Sequence, residues 1–392
     1  MLFQYVRSRC TMEGRWHSRD VGKPAYRLGI SWAPALYMTD SRSELAPIAL
    51  PSLAPTPLVS VLISNYNYAH LAPQAIDSVL NQSYSNIEIV ICDDGSSDNS
   101  VEVFRRYAAR DRRVTVLTKD NGGQATGFNL AYRHCHGDIL CFLDTDDTYL
   151  PNKVERVIEA FRAAPQAGCV LNRVLRSDAD GRPRGQLPLF ASLPSGWHGP
   201  KVVKLGGVLE HIPATPGQNY RRQIIDRMFP LPVYPPLNMC PDIVMMRLAP
   251  LLTAFAAVEE PMASTRIHGR NTYQRTRMSA ATLRRELTIC EAIWHVQRGF
   301  LEAIDSRLAG ELAPLDTSPA ILMAKYMLAR LERDAASNGY RTALLSSPAC
   351  RFRMFWRASA YMPRPVFSFC IDTLTGRGRW KQVAKQISRL FA

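Results

Sequence analysis

From Leu58 to Asp147 the apolar positions alternate between short unbroken runs and a spacing of three or four. "LVSVLIS", Leu58 to Ser64, is a β-branched run suited to a buried strand. "LAPQAIDSVLNQSY" then puts Leu71, Ala75 and Val79, with Ile76 and Leu80, at helical spacing, and Pro73 in the first turn. "IEIVICDDGSSDNS" reads as a second strand entering a polar turn, "SVEVFRRYAARD" as a helix and "RVTVLTKD" as a third strand. "NGGQATGFNLAYRHC" is a Gly-led loop and helix, and "DILCFLDTDD" a fourth strand. Strands and helices in alternation predict a mostly parallel sheet with helices on its faces, an α/β fold. Ligands gather at the carboxyl ends of such strands. Three of these ends are polar: Ser64-Asn65-Tyr66-Asn67, Asp93-Asp94-Gly95-Ser96, and Asp144 to Asp147.

The flanks read differently. Residues 1–56 lack sustained periodicity and end in Pro47, Pro51, Pro55 and Pro57, which predicts a poorly ordered extension and linker. Met38 is a second candidate start, which N-terminal sequencing that finds Met1 rejects. Residues 152–164 read as a helix, and Pro- and Gly-rich segments dominate 176–217. The stretch from Pro241 to Tyr273 reads as a helix and a short strand. From Ala280 onward the chain is predicted helical, with "TLRRELTICEAIWHVQRGFLEAI" and "SPAILMAKYMLARLERDAA" amphipathic. The expected division is 1–56, 57–275 (halves 57–150 and 151–275) and a helical region 276–392, with no internal repeat.

Composition narrows the function classes. The 392 residues are 46% hydrophobic, enough for a real core. Lys and Arg number 48 against 34 Asp and Glu, a net charge of +14 that suits anionic partners. Nine cysteines form no CxxC pair, which points away from a zinc site or disulfide framework and toward a reducing setting. No apolar stretch approaches the ~18 residues of a membrane span, and the N-terminus has no apolar signal core. A cytoplasmic location is expected, with peripheral attachment to the inner face of the cell membrane as its extension. The Arg, Lys and aromatic residues of the C-terminal region fit a helical tail on an anionic membrane surface. A plain bundle packed on the main domain accounts for them equally. Nucleic acid is not expected, because no recognised binding motif accompanies them.

Asp144, Asp146 and Asp147 crowd into four positions, and like charges so close repel unless a cation or donor lies among them. One reading is a divalent cation site of hard oxygen ligands. The other is an acidic N-terminus for the helix in "YLPNKVERVIEAF", capped by Asp147 or Thr148. A cap needs one acid rather than three, which favours the metal.

"VSVLISNYNYAHLAPQAIDSVLNQSYSNIEIVICDDGSSDNS" followed by "NGGQATGFNLAYRHCHGDILCFLDTDD" resembles the nucleotide-sugar half of family-2 glycosyltransferases. "PATPGQNYRRQIIDRMFPLP", "CPDIVMMRLAPLL" and "EEPMASTRIHGRN" are similar to the acceptor half, so the resemblance spans about residues 57–275. It implies a GT-A fold and an inverting transfer from a nucleotide-sugar, a UDP-sugar first among them, to a hydroxyl of a glycan or lipid-linked acceptor in surface polysaccharide assembly. By position it implies that Ser64 and Tyr66 line the nucleobase pocket and that Asp94 accepts the imide N–H of uracil or thymine. The alternative for Asp94 is an ordinary turn before Gly95. Asn129 of the third motif is carried over to the nucleotide sugar, and Asp144 to the ribose hydroxyls. Asp146 is implied to hold Mn²⁺ or Mg²⁺ on the diphosphate, with Asp147 in the metal shell or the cap. His268 in "RIHGRN" is a further metal or diphosphate ligand by the same resemblance, and structural otherwise. Asp242 stands where the family places its catalytic base, and an N-cap role after Pro241 is compatible with that.

Three departures matter. Phe128 stands where many relatives have Arg, so diphosphate neutralisation falls to another cation, with Lys119 and Arg270 as candidates. Pro241-Asp242 replaces the frequent Glu-Asp. "GRGRW" has Gly376 in place of the Gln of processive members, which implies single additions. A dinucleotide oxidoreductase is rejected, because "SNYNYAH" follows the first strand where G-x-G-x-x-G would be required. A sugar-nucleotide binder that lost its base is the remaining alternative.

Overall fold

The two rhythms fold as strands and helices in turn. In the computed structural model, β1 (Val59–Asn65), α1 (Ala72–Leu80), β2 (Ile87–Asp93), α2 (Ser100–Arg110), β3 (Val114–Thr118), α3 (Gln124–Tyr132) and β4 (Ile139–Asp144) follow one another. Next come β5 (Thr148–Tyr149), α4 (Lys153–Ala163), β6 (Ala167–Ser177), β7 (Pro183–Leu187) and α5 (Gly199–Lys204). They are followed by β8 (Gln218–Arg221), α6 (Arg222–Met228), α7 (Pro241–Leu248) and β9 (Ala254–Arg266). Helices α8 (Ala280–Ile304), α9 (Ser306–Glu311), α10 (Pro319–Glu332), α11 (Ser337–Ser346) and α12 (Arg353–Ala358) end the series. The described residues are 45–187, 192–268, 279–347, 353–362, 366–367 and 370. Met38, Arg270, Gly376, the expected boundary at 275 and the basic tail after Cys370 lie outside them.

The sheet runs β3-β2-β1-β4-β8-β6-β9-β5, with β7 paired to β6. Strands β1 to β4 are mutually parallel, and β1 lies between β2 and β4. The chain steps outward from β1 to β3 and then returns to the other side of β1. Such a reversal leaves a crevice beyond the carboxyl ends of the two central strands. Register puts Ser64 opposite Asp144 and Asn65 opposite Asp93 at that edge.

Alternation along β1 sends Val59, Val61 and Ile63 into one apolar cluster and Leu62 into the other, so both faces of the sheet are covered. The first cluster is closed by Ile76 and Val79 of α1 and Val157 and Phe161 of α4. The second takes in Phe128 of α3, Val244 and Met245 of α7, and Ile293 and Phe300 of α8. Helix α8 therefore packs on the sheet's own core, and Gln297 ties it to α7 by donating to the carbonyls of Gly207 (2.9 Å) and Arg247 (2.7 Å). For this part of the C-terminal region the packed bundle holds. Among the described residues no helix is long and apolar enough to cross a membrane.

Three features differ from the expectation. β6 and β8 fall where no strand was predicted, and the strand after α7 is 13 residues long rather than short. β8 is invisible to periodicity because Gln218, Asn219, Tyr220 and Arg221 are all buried and mostly polar. Residues 45–56, expected as loose linker, are docked: the Ile48 amide donates to the Leu252 carbonyl at 2.7 Å, and Arg221 donates to the Pro51 carbonyl at 2.8 Å. Leu45, Ile48 and Leu50 supply the apolar contact for that docking.

β8 is antiparallel to β4, with Cys141 opposite Asn219 and Ile139 opposite Arg221. Its first residues therefore lie toward the carboxyl end of β4. The 3₁₀ turn Thr215–Gly217 that precedes β8 packs against β4, β6 and β9 at the same edge.

Candidate active site

At the ends of β1 and β2 the two neighbouring aspartates have separate tasks. Asp93 makes the turn: it accepts from Asn65 Nδ2 (2.7 Å), the Ser96 amide (2.9 Å) and the Ser96 hydroxyl (2.6 Å). Asp94 instead reaches across to the loop before α3, accepting from the amides of Gly122 (2.9 Å) and Gly123 (2.8 Å) and from the Lys119 ammonium. Gly95 has φ +74°, and a Cβ there would stand 2.7 Å from the Asn121 nitrogen, so the turn requires glycine. Gly123, at φ +94°, lies against Asn238 in the segment that leads to α7. Lys119 is thus engaged by Asp94 and the Asp120 carbonyl (2.5 Å). Ser64 and Tyr66 are half-buried at this edge, and the Ser64 carbonyl accepts the Thr145 hydroxyl at 2.9 Å.

Asn129 makes a contact that the sequence did not imply. Its amide nitrogen donates to the Leu231 carbonyl (2.9 Å), and its oxygen accepts the Leu231 amide (2.7 Å). Both ends of this buried side chain clamp a segment 102 positions away, a structural task.

β4 ends in the acidic group. Asp144, Asp146 and Asp147 each offer an oxygen, and these lie within 4.8 Å of one another. Burial pushes the Asp144 carboxyl well above the ordinary carboxylate range, with Asp146 and Asp242 adding repulsion. Burial, then Asp146 and Asp144, does the same to Asp147. Donors answer only part of this: Gln124 Nε2 donates to Asp144, while the Arg266 amide (3.1 Å) and Thr265 hydroxyl (3.2 Å) donate to Asp147. The capping alternative for Asp147 is set aside, because Thr148 and Tyr149 pair with β9 and the helix begins only at Lys153, with Asn152 at its N-cap. His268 Nε2 lies 3.1 Å from Asp146 Oδ2, and its ring meets Tyr68 edge-on with centroids 5.4 Å apart.

Asp242 comes to the same place from another direction. It occupies the first turn of α7, where Cys240 rather than Asp242 is the N-cap residue. Its Oδ1 accepts the Ile243 amide (2.8 Å) and its Oδ2 the Thr215 hydroxyl (3.0 Å). Thr215 is also a hydrogen-bonding neighbour of Asp144, and Asp242 is close enough to repel it. One buried hydroxyl thus lies between the ends of β4 and the start of α7.

Half-buried and buried carboxylate oxygens that repel one another, with a histidine at their edge, fit a hard divalent cation. The structure unites Asp144, Asp146, Asp147, His268 and Asp242 at one edge, with Ser64 in register with Asp144. Gln124 and Thr215 were missed. Neither belongs to a motif, and only their juxtaposition with Asp144 marks them.

The family model described as "Glycosyl transferase family 2" matches residues 60–229. An uncharacterized glycosyltransferase of Nostoc sp. is 33% identical over 233 residues, 57% of this chain and 68% of that relative. The hyaluronan synthase of Pasteurella multocida is 35% identical over 138 residues, 35% of this chain but 14% of the synthase. A chondroitin synthase of Escherichia coli is 33% identical over 148 residues, 38% of this chain and 21% of that protein. The chain therefore spans about two thirds of the Nostoc relative and a small part of either synthase. Among solved structures, S. aureus TarS 1–349 in complex with UDP-GlcNAc aligns over 77% of this chain and 87% of its own, with 16% identity and a TM-score of 0.46.

Proposed function

The chain belongs to glycosyl transferase family 2 and is a glycosyltransferase of the GT-A fold, and from that premise we propose an inverting, metal-dependent transfer from a UDP-sugar. The acceptor in this reading is a hydroxyl of a glycan or lipid-linked glycan in surface polysaccharide assembly, and additions are single. The observation that supports it most is the meeting of Asp144 and Asp242 across Thr215, although they stand on separate elements. A donor-binding carboxylate and a base must lie that near for one sugar carbon to serve both.

Asp144 is the contact for the ribose hydroxyls. Asp146, with Asp147 and His268, would hold Mn²⁺ or Mg²⁺, which supplies positive charge beside the departing diphosphate. Asp242 takes the proton of the acceptor hydroxyl as its oxygen bonds to the anomeric carbon. The bond from that carbon to the diphosphate breaks, and its electron pair leaves with the diphosphate. Ser64 and Tyr66 line the nucleobase end. Asp94 remains the acceptor for a uracil imide: a carboxylate has about four lone-pair sites, and three donors from the chain are on it.

The protein works, in this reading, in the cytoplasm at an anionic membrane surface. Residues 335–392 carry ten Lys and Arg against one Asp, a surplus of nine out of the chain's fourteen. Met354 (85% exposed), Tyr361 (89%) and Val366 (47%) are three of the four large apolar side chains exposed among the described residues. Flotation with phosphatidylglycerol vesicles should recover the protein, and equal recovery with phosphatidylcholine alone would reject the electrostatic part.

The decisive assay is UDP release from a panel of UDP-hexoses and UDP-N-acetylhexosamines with Mn²⁺. EDTA should stop it, and turnover that continues without metal rejects the assignment of the acidic group. Asp242→Asn should abolish turnover yet keep the donor's thermal stabilisation. Wild-type turnover in that variant rejects Asp242 as the base, whereas donor binding with no UDP release from any donor in the panel returns the chain to the alternative role of a nucleotide-sugar binder.

A further inference from the structure

Thr215 is 3% exposed and lies in a turn built to hold it. Pro213 and Pro216 restrict the backbone on either side, and the Gly217 amide closes the turn on the Ala214 carbonyl at 2.7 Å. A Cβ on Gly217 would meet Pro213 Cβ at 2.5 Å and the Asn172 carbonyl at 2.7 Å, so the turn is pressed against β6. Gln218 fastens it from behind, donating to the Pro213 carbonyl at 3.1 Å. Gln218 is held in turn by the Tyr220 hydroxyl at 2.9 Å, which also lies 3.1 Å from the Met246 sulfur on α7. Turn, strand and base helix are therefore one packed unit, with the Thr215 hydroxyl at its tip.

That hydroxyl has one proton and two carboxylate neighbours, Asp242 at 3.0 Å and Asp144. The Ile243 amide fixes one oxygen of Asp242 from its own helix, and Thr215 fixes the other from across the site. Two donors, one on each oxygen, hold the plane of a carboxylate more tightly than either does alone. We propose that Thr215 is a positioning residue for the transfer reaction, setting the orientation of the Asp242 carboxylate toward the acceptor hydroxyl. The inference rests on Asp242 being the base. A ribose hydroxyl donating to Asp144 leaves the Thr215 proton to Asp242, so donor binding completes the alignment.

Thr215→Val keeps the shape and removes the donor, and Thr215→Ser keeps the donor. Mn²⁺-dependent UDP release should fall on the order of 10²-fold in kcat for Thr215→Val, the scale of a misplaced catalytic group. KM for the UDP-sugar should stay near wild type, and Thr215→Ser should restore most of kcat. In an Asp242→Ala background the valine substitution should change nothing further. If Thr215→Val leaves kcat intact while Asp242→Ala abolishes it, the positioning role is overturned and the base stands. A rise in KM with kcat unchanged also overturns it, because Thr215 would then serve the donor through Asp144. Full activity in Asp242→Ala would remove the base and this inference together. A Thr215→Val protein that melts well below wild type, with Thr215→Ser equally slow, would make the residue structural and overturn the proposal.

Discussion

Two acidic corners face the same crevice, and they are built on opposite principles. At the end of β2, Asp93 and Asp94 are surrounded by the chain's own donors: an asparagine, a serine, three backbone amides and a lysine. At the end of β4, Asp144 and Asp147 receive fewer donors, repel Asp146 and each other, and are held well above the usual carboxylate range by burial first. The first corner is held together by the chain's own donors, three on Asp93 and three on Asp94. The second holds three mutually repelling acids with His268 at their edge, the arrangement on which the proposed cation site rests.

Substitutions should separate the two corners sharply. The largest effect is expected at the second: Asp146→Asn should lower Mn²⁺-dependent turnover on the order of 10²–10³-fold, the loss typical when charge stabilisation of a leaving group is removed. In EDTA the same variant should melt no lower than wild type, because Asp146 repels both Asp144 and Asp147. A clear drop in metal-free melting temperature would show that Asp146 is structural. At the first corner, Asp93→Ala should cost about 3 kcal/mol in urea unfolding, since it strands buried donors. Mn²⁺ should not recover that loss, and recovery would mean that the two corners are one site.

The smallest effect is a pH dependence. Asp144 and Asp147 titrate higher folded than unfolded, so the folded, metal-free chain binds more protons above the ordinary aspartate value near 4. Their contribution to stability is present below that value and is lost as pH rises through their folded range. Glu88 and Asp98 shift the other way, and their gain is complete once pH passes about 5. Between about pH 5 and 8, then, the two acids lower stability in EDTA as pH rises. An opposing rise comes from His198 and His295, which burial holds below the ordinary imidazole value. The metal-free profile of wild type should therefore fall relative to that of Asp144→Asn, and Mn²⁺ should reduce the difference. A wild-type profile parallel to that of Asp144→Asn would mean that the Asp144 carboxyl is not held above its ordinary range.

What could be read in advance follows the same division. Strands β1 to β4 are legible because buried parallel strands write themselves as apolar runs, and the acids at their ends interrupt those runs abruptly. His268 and Asp242 were legible through resemblance, and both arrive where the acidic group lies. β8 was not, since its four buried residues are mostly polar and find partners on neighbouring elements, as Asn219 does in donating to the Val170 carbonyl and to Asn172 Oδ1 of β6. The tie of Asn129 to Leu231 was not legible, because a motif position says nothing about which way an amide points. Thr215 and Gln124 carry no pattern at all; they matter only through what the fold sets beside them.

The reversal at β8 also has a consequence in time. A ribosome adds about 5–20 residues per second, and Thr215 lies 71 positions after Asp144. The donors to Asp147 come 118 and 119 positions after it. For several seconds of each synthesis the end of β4 exists without the turn and strand that later hold its acids in place. The order of translation thus lays down the clustered acids well before the turn and the donors that come to surround them.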